Sequence, residues 1–376
     1  MSTDLSVNRV PLGAATATPE LLSPVGWAPE ETRSSTSIIV DHAHGTLDVN
    51  DDGVVVMPLS RALVEYPWVQ DLMFSLVSPD EDEVLRRAFE STREPLGTFT
   101  WVRPGATVDL PSQSFCVMTV PQERQFIHDV TVIGEGAVVD MVSGAAVAPA
   151  LTRGHHVSLS ETFIGDGAQV RSVDVDRWGS DMDVTSYART KIGENASASS
   201  VSVAVWPLRR CRSDSRTEVG AGSSCVNHSI ILATGGSERV LDTAITLAGP
   251  EARAEQVSRM VSDGGTIRNH NVLQATSGDT RGFLECDGLM LRAGGRVESI
   301  PVLDAGVARA QLSHEASVGM IDDEKMDYLM STGLTESESR DLIVQGFLNL
   351  DDERIPSSIR KTVQGLVEAA RGAENM

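Results

Sequence analysis

The sequence has no long apolar run, very few lysines and few aromatic rings. No stretch approaches the roughly 18 apolar residues that a membrane-spanning helix needs, so we expect no membrane association. The net charge is -22, and the chain has only three lysines beside 28 arginines, with no long basic run; this argues against a nucleic-acid-binding surface. The first residues, MSTDLSVNRV, lack the charged and apolar regions of a secretory signal, so we expect a cytoplasmic protein.

Several catalytic motifs are missing as well. There is no G-x-x-x-x-G-K-[ST] phosphate loop, no G-x-S-x-G elbow, and no G-x-G-x-x-G that follows a strand and opens a helix. A zinc-protease H-E-x-x-H also fails, because Val318 stands where the second histidine would follow His314 and Glu315. The four cysteines are widely spaced and form no C-x-x-C, which predicts free thiols in a reducing compartment. We therefore expect no ATPase activity from this chain alone and no ordinary hydrolase or dehydrogenase chemistry.

The middle of the chain carries a recurring turn. Short runs that alternate apolar and polar residues are typical of β-strands, and they are separated by turns such as IGEGA and IGDGA. The first glycine of each turn recurs at intervals of 31, 28, 27 and 29 residues: Gly134, Gly165, Gly193, Gly220 and Gly249. A near-constant period of this length favours a solenoid whose repeats stack on one another, here a β-helix. A sandwich of hairpins is the alternative.

Four regions follow from these patterns. Residues 1–36 are rich in Pro, Ser, Thr and Ala and are predicted to be a flexible leader. Residues 37–96 form a helical N-terminal region, residues 97–316 the β-helix core, and residues 317–376 a C-terminal helical subdomain.

Three short helices are predicted in that C-terminal subdomain. An aspartate cap at Asp322 or Asp323 opens the first helix, which ends at Gly333. A capping box of Thr335 and Glu338 opens the second, and Pro356 the third. These helices either cap the end of the solenoid or offer an apolar groove to a partner.

Three residues remain as candidates for chemistry. Cys286 lies 28 residues before His314, about one repeat, so the thiol and the His314–Glu315 pair are expected on adjacent coils. Thiolate, imidazole and carboxylate are all ligands for iron, although such a mixed set would hold a cluster weakly and would be completed across a subunit interface. The simpler alternatives are a buried, purely structural Cys286, a polar His314 without a special role, and a helix-entry charge at Glu315.

The segments around these residues resemble the SufB/SufD family of iron-sulfur cluster assembly proteins. LECDGLML and LSHEASVGMIDDEKMDYLMSTGL are similar to its C-terminal half, and ERQFIHDVTVIGEGAVVDMV and GPEARAEQVSRMV extend the likeness over roughly residues 37–350. The resemblance implies a right-handed parallel β-helix, mainly β, with a helical N-terminal part and a C-terminal helical part that docks onto the ABC-type ATPase SufC. It also implies a homodimer, or a heterodimer with a second SufB- or SufD-like chain, through the end of the β-helix.

The SufB/SufD family has a B-type and a D-type, and different residues of this chain favour each. In the B-type, the cluster scaffold, the cluster-site cysteine falls on Cys286 and the glutamate on Glu315, with His314 beside them, so the resemblance implies a transient iron-sulfur cluster on this chain. The chain is similar to compact archaeal or minimal forms. Ala145 stands where B-type members have the cysteine at which sulfur enters, which favours the alternative, a D-type structural partner. A polysaccharide-acting β-helix enzyme is a further alternative, disfavoured by the three tyrosines and the unrelated helical tail.

Overall fold

The chain is built around a parallel β-solenoid of about eight turns. The structure is a computed structural model that describes residues 17–120 and 124–348, and it contains 54% strand and 15% helix. The consecutive coils pair in parallel, as in the 10-residue register between residues 183–192 and 210–219. The predicted β-helix is therefore confirmed, and a sandwich of antiparallel hairpins is not what the chain forms.

Nineteen strands make up the described part of the solenoid. In chain order they are β1 Ser35–Val40, β2 Ala43–Val49, β3 Val54–Pro58, β4 Thr98–Val102, β5 Ser112–Met118, β6 Arg124–Ile133, β7 Val138–Val147, β8 Arg153–Ile164, β9 Gln169–Arg177, β10 Asp181–Ile192, β11 Ser197–Ala204, β12 Arg210–Val219, β13 Ser224–Thr234, β14 Glu238–Leu247, β15 Arg253–Asp263, β16 Thr266–Ala275, β17 Arg281–Met290, β18 Arg296–Ala305 and β19 Gln311–Met320.

These strands form two facing sheets. The first sheet runs in the order β19-β17-β15-β13-β11-β9-β7-β5-β1-β2, and the second runs β18-β16-β14-β12-β10-β8-β6-β4-β3. From β4 onwards, successive strands alternate between the sheets, so each coil adds one strand to each sheet and residues about one repeat apart in sequence stack directly on each other. Among these nineteen strands, only the pairs β1-β2 and β3-β4, at the N-terminal end, are antiparallel.

The recurring glycines are required by the close stacking of the turns. A Cβ atom at Gly220 would stand 2.4 Å from the carbonyl oxygen of Gly193, and one at Gly249 would stand 2.1 Å from the backbone nitrogen of Ala221. Both separations are far inside van der Waals contact, so any larger residue would push the coils apart. The interval between these glycines in the sequence is thus the length of one coil, since the glycines lie where the backbones of neighbouring coils contact each other.

The interior of the solenoid is apolar at one side. A single lumen-facing row crosses the second sheet from coil to coil, and its members from the first coil to the seventh are at most 6% exposed: Val102, Ile133, Ile164, Ile192, Val219, Leu247 and Ala275. Together with inward residues of the first sheet, the first six members of this row form one apolar core.

A second part of the interior is polar. On the first sheet, one inward row stacks small polar side chains in register towards Cys286: Ser114, Ser143, Asp174, Ser202, Ser229 and Ser258. Ser143 Oγ donates to Asp174 Oδ1 at 2.7 Å. Facing them, the second sheet contributes Asp129, Ser160, Ser215, Thr243 and Asn271 in one row, interrupted by Ala188.

The helices lie outside the solenoid. They are α1 Pro19–Leu22, α2 Leu59–Glu65, α3 Glu83–Ser91, α4 Asp323–Ser331 and α5 Glu336–Leu348, with short 3-10 helices at Ser23–Val25, Glu30–Thr32 and Pro67–Asp71. Leu22 and Val25 pack on the outer face of the first sheet, as do Val344 and Leu348 of α5.

The N-terminal boundaries differ from the prediction. Residues 17–36 were assigned to the flexible leader, yet Leu22 and Val25 are 1% and 0% exposed because they cover apolar side chains on the sheet. The region 37–96 was predicted as helical, but β1, β2 and β3 occupy its first part because these strands close the first coil. Short apolar segments at the edge of a core leave little periodic pattern in a sequence.

The first predicted C-terminal helix begins and ends at the predicted residues, and the second begins at its predicted capping box. Asp322 caps α4 by accepting a hydrogen bond from the Glu324 amide, and Gly333, with φ of 101°, follows its end. The Thr335 and Glu338 capping box closes reciprocally: the Thr335 amide donates to Glu338 Oε2 at 2.7 Å and the Glu338 amide to Thr335 Oγ1 at 3.2 Å. The third predicted helix, from Pro356, lies outside the described residues.

Candidate functional site

The solenoid ends in two strands whose outer edges are free. Within the described part of the chain, no strand pairs with the outer edge of β18 or β19. Leu273 and Leu303 occupy the same lumen-facing row, one coil apart, and their exposures are 0% and 40%. The last coil therefore leaves inward-facing side chains open to solvent, including Val318 at 45% and Met320 at 57%. We call this surface the open end.

Cys286 lies one strand inside the open end. It belongs to β17 and pairs in register with Ala316 of the edge strand β19. Its side chain points into the lumen, is 0% exposed, and packs with apolar residues such as Met260 and Ile267. Two side-chain amides of β16 reach its sulfur: Asn271 Nδ2 at 3.3 Å and Asn269 Nδ2 at 3.8 Å.

His314 shares the inward face with Cys286. In β19 it pairs with Leu284, two residues before Cys286 on β17, and alternate residues of a strand face the same side. The ring is partly buried, and its Nε2 atom is buried without a hydrogen-bond partner among the described residues. A buried imidazole nitrogen without a hydrogen-bond partner destabilises a folded protein. At the open end, this nitrogen is placed to bind a ligand.

Glu315 lies on the opposite face of the same sheet. It pairs in register with Glu285 and is exposed to solvent. Arg259 forms ion pairs with both Glu285 and Asp287, so two carboxylates share one guanidinium on this outer face. Burial raises the pKa of Glu285, and the charges of Asp287 and Glu315 add to this effect although Arg259 opposes it.

The structure thus brings two of the three predicted site residues onto one face. Cys286 and His314 both face the lumen, whereas the backbone of β19 separates them from the carboxylate of Glu315. Among the residues described, no group of three or more His, Cys, Asp and Glu side chains is arranged to hold a metal ion. Within the described part of one chain, the inward face thus offers one thiol and one imidazole as candidate ligands.

The other thiols lie deeper in the solenoid. Cys116 faces the lumen and pairs in register with Ala145, so the coil before Ala145 supplies a thiol at the equivalent position. Burial, reinforced by nearby aspartates, raises the pKa of the Cys116 thiol well above its usual range, and burial raises the pKa of Cys211 to about 11. Both thiols are held in the protonated, unreactive form.

The sequence reasoning missed the polar groups around Cys286. Asn269 and Asn271 stand in TIRNHNVLQA, where they alternate with Arg268 and His270, and the alternation puts both asparagines on the inward face of β16. A strand that places two amides inward among apolar neighbours is a detectable signal of a polar site, but only the register of β16 against β17 shows which side chain they meet.

Fold and site together define a class of protein: a β-solenoid without a nucleotide-binding loop, whose candidate site is a buried thiol beside an unpaired end. The family model for the "SUF system FeS cluster assembly, SufBD core domain" matches residues 116–347. The chain therefore belongs to the SufBD family of iron-sulfur cluster assembly proteins, as its resemblance indicated. In the described part of the structure, no helix combines the length and the apolar composition that a membrane span requires.

Relatives are found among archaea. An iron-sulfur cluster assembly SufBD family protein of Archaeoglobus fulgidus is 29% identical over 338 residues, covering 90% of each chain. A protein of the same description from Methanothermobacter thermautotrophicus is 29% identical over 356 residues, covering 93% of this chain and 86% of its own. A third, from Pyrococcus horikoshii, is 26% identical over 85% of this chain and 71% of its own. The likeness to these three proteins covers 85% to 93% of this chain.

Proposed function

We propose that this chain is the scaffold subunit of a SUF-type complex and builds a labile iron-sulfur cluster at its open end. The observation that carries the proposal is the placement of Cys286 one strand inside an unpaired end, with His314 on the last strand and on the same face. The thiolate would ligate iron, and the imidazole would serve as a second ligand close by. Glu315, on the outer side of β19, is proposed as a ligand after rearrangement or to a cluster shared with another chain.

The open end supports pairing with a second chain. Unpaired strand edges and exposed apolar side chains are normally covered in native proteins, and here Leu303, Val318 and Met320 meet solvent. A second SufB- or SufD-like chain, whether identical or not, would cover them and bring a second set of site residues to the cluster. Ligands from two chains make the cluster labile, because separating the chains removes half of them.

Energy would come from a partner ATPase. The chain has no phosphate loop, and the C-terminal helices expose Tyr328, Met330 and Leu342. We propose that a SufC-like ABC-type ATPase docks on these helices, in the cytoplasm, and that its ATP-driven closure reshapes the open end. The chain itself would be a scaffold and no enzyme.

A D-type structural subunit is the second candidate. It is favoured by Ala145, which lacks the thiol at which sulfur enters in B-type members, and by the complete burial of Cys286 among apolar residues. In that role Cys286 would be a packing residue, and the cluster would depend on ligands of the partner chain.

Anaerobic purification of the full chain with its ATPase, followed by supply of iron and sulfide, separates the two candidates. We expect visible cluster absorption from the wild type and none from Cys286→Ala, because alanine removes the thiolate ligand. The matched control is Cys225→Ala, which removes another buried inward thiol, three coils before the last one. It should lower stability and leave the absorption in place.

The ATPase must still bind Cys286→Ala for the loss of absorption to count. Equal spectra for the wild type and Cys286→Ala, or no spectrum from either, would exclude the scaffold role and leave the structural subunit.

A further inference from the structure

Two side-chain amides donate hydrogen bonds to the sulfur of Cys286. Asn271 Nδ2 lies 3.3 Å from Sγ and Asn269 Nδ2 lies 3.8 Å from it. Both asparagines are on β16 of the second sheet, facing β17 across the lumen, and they are 1% and 2% exposed. Water therefore does not replace these amides, and the sulfur accepts from both of them.

Cys225 provides the contrast inside the same lumen. Its thiol donates to Asn227 Oδ1 at 3.6 Å, and that oxygen also accepts from Ser200 Oγ at 2.8 Å. Burial raises the pKa of Cys225 to about 12. An asparagine thus meets a buried cysteine at two places, but at Cys225 the amide oxygen accepts, whereas at Cys286 two amide nitrogens donate. The first arrangement suits a neutral thiol, and the second suits a sulfur that carries negative charge.

The arrangement at Cys286 has a cost that packing does not explain. Asn271 Oδ1 is buried and has no hydrogen-bond partner among the described residues. An unsatisfied buried acceptor destabilises the fold, and the neighbours Ile267 and Met260 would accept a leucine instead. A neutral thiol is a weak hydrogen-bond acceptor, so its bond to the amide offsets little of this destabilisation. A metal-bound thiolate keeps negative charge on sulfur, so it accepts a stronger hydrogen bond and offsets more.

We propose that Asn271, assisted by Asn269, is a positioning residue for the cluster ligand Cys286: its amide fixes the position of the sulfur and donates to it when the thiolate binds iron. This rests on the scaffold function proposed above. Hydrogen bonds to ligand sulfurs are among the factors that set the reduction potential of iron-sulfur clusters, and partners of metal ligands strengthen metal retention.

The test uses the full chain, loaded anaerobically with iron and sulfide, and three matched variants. Asn271→Leu keeps the volume and removes the donor, and Asn271→Asp keeps the shape and offers only acceptors. Asn227→Asp is the control, because that asparagine already acts through its oxygen. Iron retention against a chelator, the cluster reduction potential and the energy of the sulfur-to-iron charge-transfer band are measured for each.

For Asn271→Leu we expect roughly tenfold weaker iron retention, a more negative potential and a shifted charge-transfer band. Asn271→Asp should show the larger loss, because a carboxylate repels the thiolate, and Asn227→Asp should match the wild type. A folded Asn271→Leu with wild-type retention, potential and band would overturn the proposal. If circular dichroism shows that this variant does not fold, Asn269→Leu replaces it: a smaller shift of the same sign supports the proposal, and no shift overturns it. A wild type that binds no cluster would instead reject the scaffold function.

Discussion

The two ends of the solenoid have equivalent lumen-facing positions, but these positions are covered at the N-terminal end and exposed at the C-terminal end. At the N-terminal end, β2 and β3 fold back antiparallel over the first coil, and Val102 of the lumen row is 0% exposed. At the C-terminal end the same row finishes at Ala305, which is exposed. The repeating geometry is the same throughout, so the difference lies only in what covers the last coil.

The covered end serves the stability of the solenoid, whereas the exposed end carries the candidate functional site. A solenoid needs its terminal coils covered, because each coil buries its apolar face only against a neighbour. The first coil is covered by segments of the chain itself, whereas the last coil exposes Leu303 and Val318 next to the buried Cys286. Within the described part of the chain, the uncovered coil and the candidate ligands coincide, which supports the proposal that another molecule completes the site.

Leu273 and Leu303 occupy one lumen-facing row, one buried and one exposed, and their substitution tests the open end. Leu273→Ala should lower the free energy of unfolding by about 2–5 kcal/mol, because Leu273 is fully buried, and Leu303→Ala by less than about 1 kcal/mol in a single chain. Urea unfolding at several protein concentrations measures both. Equal costs at every concentration would mean that the last coil is covered within the chain, contrary to the open end proposed here.

The second prediction breaks the proposed pairing. Val318→Asp places a charge in the centre of the open end and should weaken dimerisation by about 2 kcal/mol, roughly thirtyfold in Kd. Val64→Asp is the matched control, since Val64 is 79% exposed but lies at the other end. Analytical ultracentrifugation should find the control unchanged. Wild-type association by Val318→Asp would exclude pairing through this surface.

Much of the architecture could be predicted from the sequence because it repeats. The turn glycines recur at the coil spacing, since a Cβ at Gly220 or Gly249 would strike the preceding coil, and so the period is visible without a structure. The capping box of Thr335 and Glu338 is equally local, and it closes as expected. Features that depend on one turn of backbone leave complete signals in the sequence.

The site could be predicted only in part, because its geometry depends on register. The one-repeat spacing correctly puts Cys286 and His314 on neighbouring strands, but Glu315 follows His314 directly and must face the other side of the sheet. Asn269 and Asn271 meet Cys286 across the lumen, and this contact depends on how the two sheets face each other. No spacing along the chain encodes it.

The smallest expected effect concerns the polar interior in the middle of the solenoid, several coils away from the open end. Burial, reinforced by the neighbouring Asp174, raises the pKa of Asp176 to about 8, although Arg239 opposes the shift. A carboxyl whose pKa is higher in the folded state stabilises the fold below its unfolded pKa near 4, and this contribution is lost as the pH rises to about 8. The free energy of unfolding should therefore fall with rising pH across this window.

Asp176→Asn removes that titration, so its free energy of unfolding should fall less steeply, by about 1 kcal/mol between pH 6.5 and pH 7.5 relative to the wild type. Urea unfolding at the two pH values measures the difference, and Asp304→Asn, on the exposed last coil, controls for the loss of a carboxylate. If both variants keep the wild-type pH dependence, the interior near Asp176 is as well solvated as the open end, and the contrast between a closed and an open half of the lumen does not hold.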